Sequence, residues 1–535
     1  MKCRKQEAQV VARGREPLCY PCLHEQLFAK VRNAVRLHGL IQPGETVALA
    51  FSGGPASAAL LRFLTELRNP RIDRPARGKV SFNLHILHID ESTARGLGPE
   101  AAAAARASVA AAAAQYVCSG SGTGVSYHCV PLEAVFEEQC NSEEAEGREA
   151  GEAAKSADPL AALAACTSSE QQRQRLQSLL GAVRDRTGGS DLARHLRTHL
   201  LLRCAATLGC SRVARGDCAT TLATHIVAAA SKGCGYSLPG DVQLLDARHG
   251  AALPSFFLPL REVSARELRT LSSHWRLPLA EADARALAAP AGAGHNLAAP
   301  VDKKDINALA AAFIAGMEAH NPGSVPNILN TISKLRAFPW NELPPAPGQQ
   351  QQRQQGAAQQ GAAQQQQQQQ QDAAASAQAA SAGAAGASGG PRQQLLPAVL
   401  CPICLAPLAD DELPGSAELH SSGSSSEHTS GGQGAAAAAV SAGCCLSCYA
   451  QILAGCSAPG VSAGRGGATE ASSVSGSSAV LAALPAVVSR RMAALAAAGQ
   501  SAADAAAARA SNGSASRSGC RVEQLRAQIA DFLLN

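Results

Sequence analysis

The sequence predicts an α/β domain built on a parallel sheet, flanked by small cysteine-knuckle zinc elements and interrupted by disordered inserts. Three observations carry this: strand and helix patterns alternate between residues 27 and 335, two CxxC pairs lie far downstream, and Gln, Ala, Gly and Ser dominate the stretches in between. Such alternation favours parallel strands joined by crossover helices that cover both faces, with ligands at the C-terminal strand ends. The 535 residues exceed a single small module at roughly 150 residues per domain.

Taken in order, ETVALAF (45–51) is a short buried strand stopped by SGGP, and ASAALLRFLTELR (56–68) carries its leucines at helical spacing. FNLHILHI (82–89) alternates as a strand does, and SYHCVPL (126–132) is another strand. DLARHLRTHLLLRCAATLG (191–209) reads as a helix from an Asp cap to Gly209, followed by the strand SRVARGD (211–217) and the helix CATTLATHIVAAAS (218–231). The strand SFFLPL (255–260) and the helix SARELRTLSSHW (264–275) complete the pattern.

Boundaries follow composition. Residues 1–26 form an N-terminal cysteine knuckle and 27–335 the α/β domain, with Ala-, Glu- and Gln-rich inserts near 92–125 and 140–190, for which amphipathic helix in part is the alternative. The Gln/Ala segment 345–393 cannot bury enough apolar surface to offset its ordering entropy and reads as a disordered linker. A zinc knuckle with a Ser/Gly/Ala insert occupies 397–455, a disordered stretch 456–518, and an amphipathic helix 519–535.

Charged residues are 17% and aromatics 3%, and much of the 46% hydrophobic content is alanine, so that figure overstates the core-forming side chains. The 47 Lys plus Arg against 42 Asp plus Glu leave +5, too mild to name or to exclude a nucleic-acid partner. No run of about 18 strongly apolar residues occurs, and the polar start MKCRKQEAQVVARGREPLCYPC has no signal-peptide core. A cytoplasmic protein with no membrane contact is expected, its 18 cysteines reduced.

Between the first strand and its helix, Ser52-Gly53-Gly54-Pro55-Ala56-Ser57 brings glycines and helix N-terminal amides to one point, the way a backbone cradles phosphate. Ser52, Gly53, Gly54 and Ser57 are the candidate nucleotide-binding residues, with Asp90 at the next strand end placed for a ribose. A tight Gly-Pro turn without a ligand is the alternative. AFSGGPAS resembles the pyrophosphatase (PP) loop, SGGxDS, of ATP-dependent enzymes that adenylate a substrate carbonyl. That resemblance implies an adenine nucleotide alpha hydrolase-like, HUP-type fold. Ala56 stands at the motif's Asp, and Thr220 and Thr221 stand at the acidic pair of a GHNxDD-type motif matched by Gly216-Asp217-Cys218-Ala219-Thr220-Thr221. No CxxC lies between 58 and 215. These three losses point to a nucleotide site that is degenerate or reassigned.

Cys401-Pro-Ile-Cys404 and Cys445-Leu-Ser-Cys448 are two knuckles, together enough thiolates for one tetrahedral zinc. The insert between them loops out at a logarithmic entropic cost; reduced free thiols are the alternative. Cys3, Cys19 and Cys22 supply three ligands of a second site. The fourth is His24, a partner's residue or a cysteine upstream of Met1, the last being favoured, while three unrelated buried cysteines are the bland reading.

The N-terminal knuckle, the degenerate loop, RTHLLLRCAATLGCSRVARGDCATTLATHIV (197–227), FFLPLRE (256–262) and the separated CPIC and CLSC pairs together resemble the cytoplasmic tRNA 2-thiolation protein 2 family. The resemblance implies a part in 2-thiolation of the wobble uridine of tRNAs for Lys, Glu and Gln. It implies a heterodimer with a catalytic tRNA 2-thiolation protein 1 subunit, which receives sulfur from a thiocarboxylated ubiquitin-related modifier. Arg194, Arg197, Arg203, Arg212 and Arg215 are the candidate tRNA-backbone contacts, since guanidinium forks suit phosphates; a solvated helix face is the bland reading. Two other readings stand beside this one. The first is a self-sufficient ATP-dependent tRNA sulfurtransferase carrying sulfur on Cys204, Cys210, Cys218 or Cys234, and the second a zinc-knuckle protein-binding adaptor without an RNA role.

Overall fold

The computed structural model describes residues 3, 5–12, 16–69, 79–118, 124–137, 160, 170–183, 185–250, 253–277, 279, 302–335, 338–343, 400–408, 444–453, 480, 483–486 and 488–493. The linker 345–393 and the segment 519–535 lie outside the described residues.

A hairpin of β1 (Val10–Ala12) and β2 (Glu16–Leu18) precedes α1 (Tyr20–Arg36), and the main sheet opens with β3 (Thr46–Ala50). There follow α2 (Pro55–Leu67), β4 (Asn83–Asp90), α3 (Pro99–Ala114), β5 (Val125–Pro131), α4 (Glu170–Ala182), α5 (Arg186–Thr207) and β6 (Arg212–Arg215). The chain continues through α6 (Ala219–Ser231), β7 (Leu245–Asp246), β8 (Ser255–Phe257), α7 (Ala265–Trp275), α8 (Ile306–His320) and α9 (Ser324–Ser333). Strand order is β5-β4-β3-β6-β8-β7, parallel except for β7 against β8. The chain builds outward from β3 to β5, then restarts on the other side at β6. The C-terminal ends of β3 and β6 therefore flank the reversal point, where such sheets leave a crevice.

Two-residue periodicity sorts the strand side chains. Val47, Leu49, Leu84, Ile86, Ala214 and Phe257 enter one core with α1, α2 and α7. Ala48, Leu87, Ile89, Val213 and Phe256 enter the other, with α4 and α5. Because both faces are covered, β3 reads as an unbroken apolar run rather than an alternating one.

Three features differ from the sequence reading. Helix α5 begins at Arg186, earlier than expected, with Asp185 as the cap accepting the Gly188 amide at 2.9 Å. Asp191 is instead buried inside the helix, paired with Lys232 at 2.7 Å and Arg194 at 2.8 Å. The stretches read as inserts are helical in part, as the alternative had it, but belong to the fold: they supply α3, the crossover between β4 and β5, and α4. Within 456–518, Val480, Leu484, Val488 and Met492 are buried against α5 and the C-terminal knuckle. They are large apolar side chains at four-residue intervals, which the surrounding alanines hide from a composition count.

Candidate functional site

β3 delivers the chain to the loop at Phe51, whose amide still bonds the Leu87 carbonyl at 2.8 Å. Gly53 turns with φ 79°, a left-handed conformation that side chains resist, and Gly54 then caps α2 with Pro55 in its first turn. Pro55 has no amide proton, and the Gly54 amide is taken by Ser52 Oγ at 3.3 Å, so the first-turn amides of Ala56 and Ser57 are those left for an anion. Ser52 Oγ and Ser57 Oγ lie 3.2 Å apart, and Ser57 Oγ donates to the Gly54 carbonyl at 3.1 Å. Across the reversal point Gly216 presses on the same turn: a Cβ there would sit 3.3 Å from both Ser57 N and Ser57 Cα. The cradle keeps its backbone shape, whereas Ala56 carries no carboxylate and packs against the core. Thr221 lines the cleft, but Thr220 turns away, donating to the Glu318 carboxylate at 3.2 Å and accepting the Ala265 amide at 3.0 Å.

Asp90 ends β4 in the same cleft, buried, its carboxylate accepting from Ser92 N at 3.0 Å and from Arg106 Nη1 at 2.9 Å. Burial works to raise its pKa, but the hydrogen bonds from Ser92 and Arg106 outweigh it and hold the carboxyl below its usual range. These oxygens are committed to the protein rather than to a ribose.

The cleft, about 1410 Å³, runs from this loop to the turn holding Lys232 and Tyr236. Arg194, Arg197 and Arg215 line it, together with Arg95, which the sequence reading passed over although it stands one helical turn from Glu91. Each is paired with a carboxylate lying deeper. Arg95 (69% exposed) and Arg197 (40%) share Glu91 (12%), Arg194 pairs with buried Asp191, and Arg215 (42%) pairs with Asp217 (20%). A polyanion at the rim thus meets guanidinium ends whose counter-charges lie beneath. Arg203 and Arg212 serve the fold: Arg203 donates to the carbonyls of Glu137 and Ala134, and Arg212 to Ser255 Oγ at 3.2 Å.

Cys401, Cys404, Cys445 and Cys448 bring their sulfurs within 4.8 Å of one another, with 3.7 Å between Cys404 and Cys445. Tetrahedral metal–sulfur bonds near 2.3 Å put sulfurs about 3.8 Å apart, whereas a disulfide needs about 2.05 Å. The donor set fits a metal ion, which would cross-link 401–404 to 445–448. Burial opposes a thiolate at Cys401, yet hydrogen bonds from Cys404, Cys445 and Cys448 hold its pKa well below the free-thiol value. Sharing protons with Cys401 pushes Cys445 and Cys448 well up. This knuckle walls the cleft through Cys404, Leu405, Cys445 and Ser447. It is fixed to α5, where His199 Nε2 bonds the Ile403 carbonyl at 3.0 Å and Gly188 lies so close to Gln451 that an added Cβ would overlap its carbonyl oxygen.

Cys3, Cys19 and Cys22 gather in the same way, with 3.6 Å between the sulfurs of Cys3 and Cys19. The amides of Lys5 and Gln6 draw the Cys3 pKa down to about 6, while Cys19 and Cys3 push Cys22 up to about 11. His24 does not join them: its Nε2 bonds Glu66 Oε2 at 2.9 Å, and its ring packs among Phe28, Phe63 and Trp275. Among the described residues no fourth His, Cys, Asp or Glu donor completes this set.

No family model matches the chain. It is 29% identical over 346 residues to cytoplasmic tRNA 2-thiolation protein 2 of Oryza sativa subsp. indica, covering 64% of this chain and 63% of that protein. The Bos taurus protein of the same name is 28% identical over 365 residues, 63% of this chain and 68% of that one. The chain is similar to the cytoplasmic tRNA 2-thiolation protein 2 of both rice and cattle. It spans about 63% of the length of the rice relative. Among solved structures it is similar to the U34-tRNA thiolase NcsA from Methanococcus maripaludis with its [4Fe-4S] cluster, at 15% identity and TM-score 0.39, over 62% of this chain and 85% of that one. In this chain, Cys204 and Cys210 are buried thiols pushed up to about 12, and burial raises Cys218 as well. Of the four cysteines considered as sulfur carriers, only Cys234 lines the cleft, donating to Ser447 Oγ at 3.0 Å. Among the described residues no helix is long and apolar enough to cross a membrane.

Proposed function

We propose that this chain is the non-catalytic partner in cytoplasmic 2-thiolation of the wobble uridine (mcm5s2U) of tRNAs for Lys, Glu and Gln. It works as a heterodimer with a catalytic PP-loop subunit, tRNA 2-thiolation protein 1, which takes sulfur from a thiocarboxylated ubiquitin-related modifier. One observation carries the reading: the phosphate cradle at 52–57 keeps its backbone and lacks the side chains that hold Mg-triphosphate. Magnesium demands hard oxygen ligands. Ala56 offers none, and Asp90 has spent its oxygens on Ser92 and Arg106. ATP and Mg therefore act at the partner's loop. Burial raises all four candidate thiols, Cys204, Cys210, Cys218 and the cleft-lining Cys234, which opposes a self-sufficient sulfurtransferase because the thiolate is the sulfur nucleophile. This chain supplies the arginine rim for the tRNA backbone, and zinc, suited to four thiolates, holds the C-terminal knuckle.

Deleting the gene is expected to abolish 2-thiouridine in these tRNAs, read by mass spectrometry of nucleosides; unchanged 2-thiouridine discards the reading. With ATP, Mg and tRNA, the purified chain is expected to release pyrophosphate only when the catalytic subunit is added. Release by the chain alone overturns the non-catalytic assignment.

A further inference from the structure

Aromatic side chains are scarce in this protein, 3% of the sequence, and most of the described ones are folded inward. Tyr236 is an exception, 45% exposed on the cleft wall. Its ring is held from behind: Phe338 meets it edge-on at 5.4 Å between centroids, and Trp340 stacks on Phe338 at 4.4 Å. That backing is itself clamped. Asn341 Nδ2 donates to the Leu245 carbonyl at 2.8 Å, and a Cβ on Gly240 would lie 3.0 Å from the Phe338 ring. Beside Tyr236, a Cβ added at Gly233 or Gly235 would meet nothing within 4 Å, so the backbone flanking the ring is uncrowded. The same cleft carries the outward guanidiniums of Arg95, Arg197 and Arg215.

A rigidly backed ring in a cleft rimmed by arginine is the pairing that single-stranded nucleic acid uses, phosphates on the cations and a base on the ring. We propose that Tyr236 is the stacking platform for an unpaired nucleobase of the bound RNA, a site that rests on the tRNA reading above and goes beyond it. The ring gives a π-face and the arginines fix the strand, so the contact tolerates any base and depends on the aromatic character of residue 236.

The test is binding of a uridine-bearing anticodon stem-loop RNA by the full chain with its catalytic subunit, across a salt series. Tyr236→Ala is expected to weaken binding about tenfold with an unchanged salt slope, and Tyr236→Phe to bind as the wild type does. Arg197→Ala is expected instead to lower the slope by about one. Matching metal content and thermal unfolding of the three Tyr236 forms separates the stacking effect from misfolding. Wild-type binding that Tyr236→Ala leaves intact overturns the site alone. Loss of subunit association in Tyr236→Ala without loss of RNA affinity makes the ring a protein contact and also overturns it. No RNA binding by the wild-type complex overturns the tRNA reading and the site together.

Discussion

Glycine at 216 is favoured by distance. The end of β6 and the first turn of α2 approach so closely that an added Cβ would stand 3.3 Å from Ser57 N and Cα, backbone atoms that cannot swing aside. Gly216→Ala is expected to cost about 1–3 kcal/mol through overpacking, measured as a lower urea midpoint with unchanged slope. His249, on the cleft wall, sets a pH dependence: burial pushes its pKa down to about 4, only partly offset by Asp246. Its unfolded value is about 6.5, so below that pH the unfolded chain binds a proton that the folded chain refuses. The His249 contribution to stability is full above about pH 6.5 and declines toward about 4, by at most ~1.4 kcal/mol per pH unit, and His195 and His199, also pushed down by burial, add losses of the same sign. His249→Asn should shrink the loss between pH 7 and pH 5; an identical loss in variant and wild type would place the titration elsewhere.

At the scale of elements, the C-terminal knuckle is part of the α/β domain's second core. Cys401, Ile403, Leu405, Ile452 and Leu453 bury with Leu192, Leu196 and Leu200 of α5. A metal ion on these four thiols would therefore hold a wall of the cleft as well as its own knuckle. Chelation, or Cys401→Ser, is expected to remove one equivalent of metal and to speed amide exchange in 400–408, 444–453 and the facing half of α5. The strand β3 should stay protected, since its neighbours do not depend on the ion. Unchanged exchange after metal loss would show that apolar packing alone seats the knuckle. The elements themselves were largely legible. Leucine spacing located α2, and the Ser264/Glu267 capping box, present in the structure, marks the start of α7. Misplacing the start of α5 came from a competing acid: Asp185 caps, while Asp191 answers Lys232 and Arg194 from within the helix.

At the scale of the molecule, the sheet divides the interior into two cores, and β3 serves both. Leu49 is fully buried in one of them, and Leu49→Ala is expected to cost about 2–5 kcal/mol by transfer and cavity terms, read from thermal or urea unfolding. The knuckle joins the other core across a long stretch of sequence, so its attachment rests on contact rather than on chain continuity. A protease site placed at residue 370 should, when cut, leave two fragments that co-elute with the metal bound. Separation of the fragments would contradict the shared core.

Local chemistry, read from the chain alone, determined the alternation that makes a parallel sheet, the glycine cradle after its first strand, the missing acid at 56 and the two sets of thiols. Each depends on neighbours in sequence, where spacing and residue type suffice. Folding decided the rest: that Cys401–Cys404 meets Cys445–Cys448 on the flank of α5, that Asp90 is claimed by Arg106, and that three of five arginines reach the cleft while Arg203 and Arg212 bond inward. It also brought Tyr236 and Ser52 to the wall of one cleft. Those outcomes turn on which groups compete for the same partner across long loops, a contest settled by distance in space that no local pattern encodes.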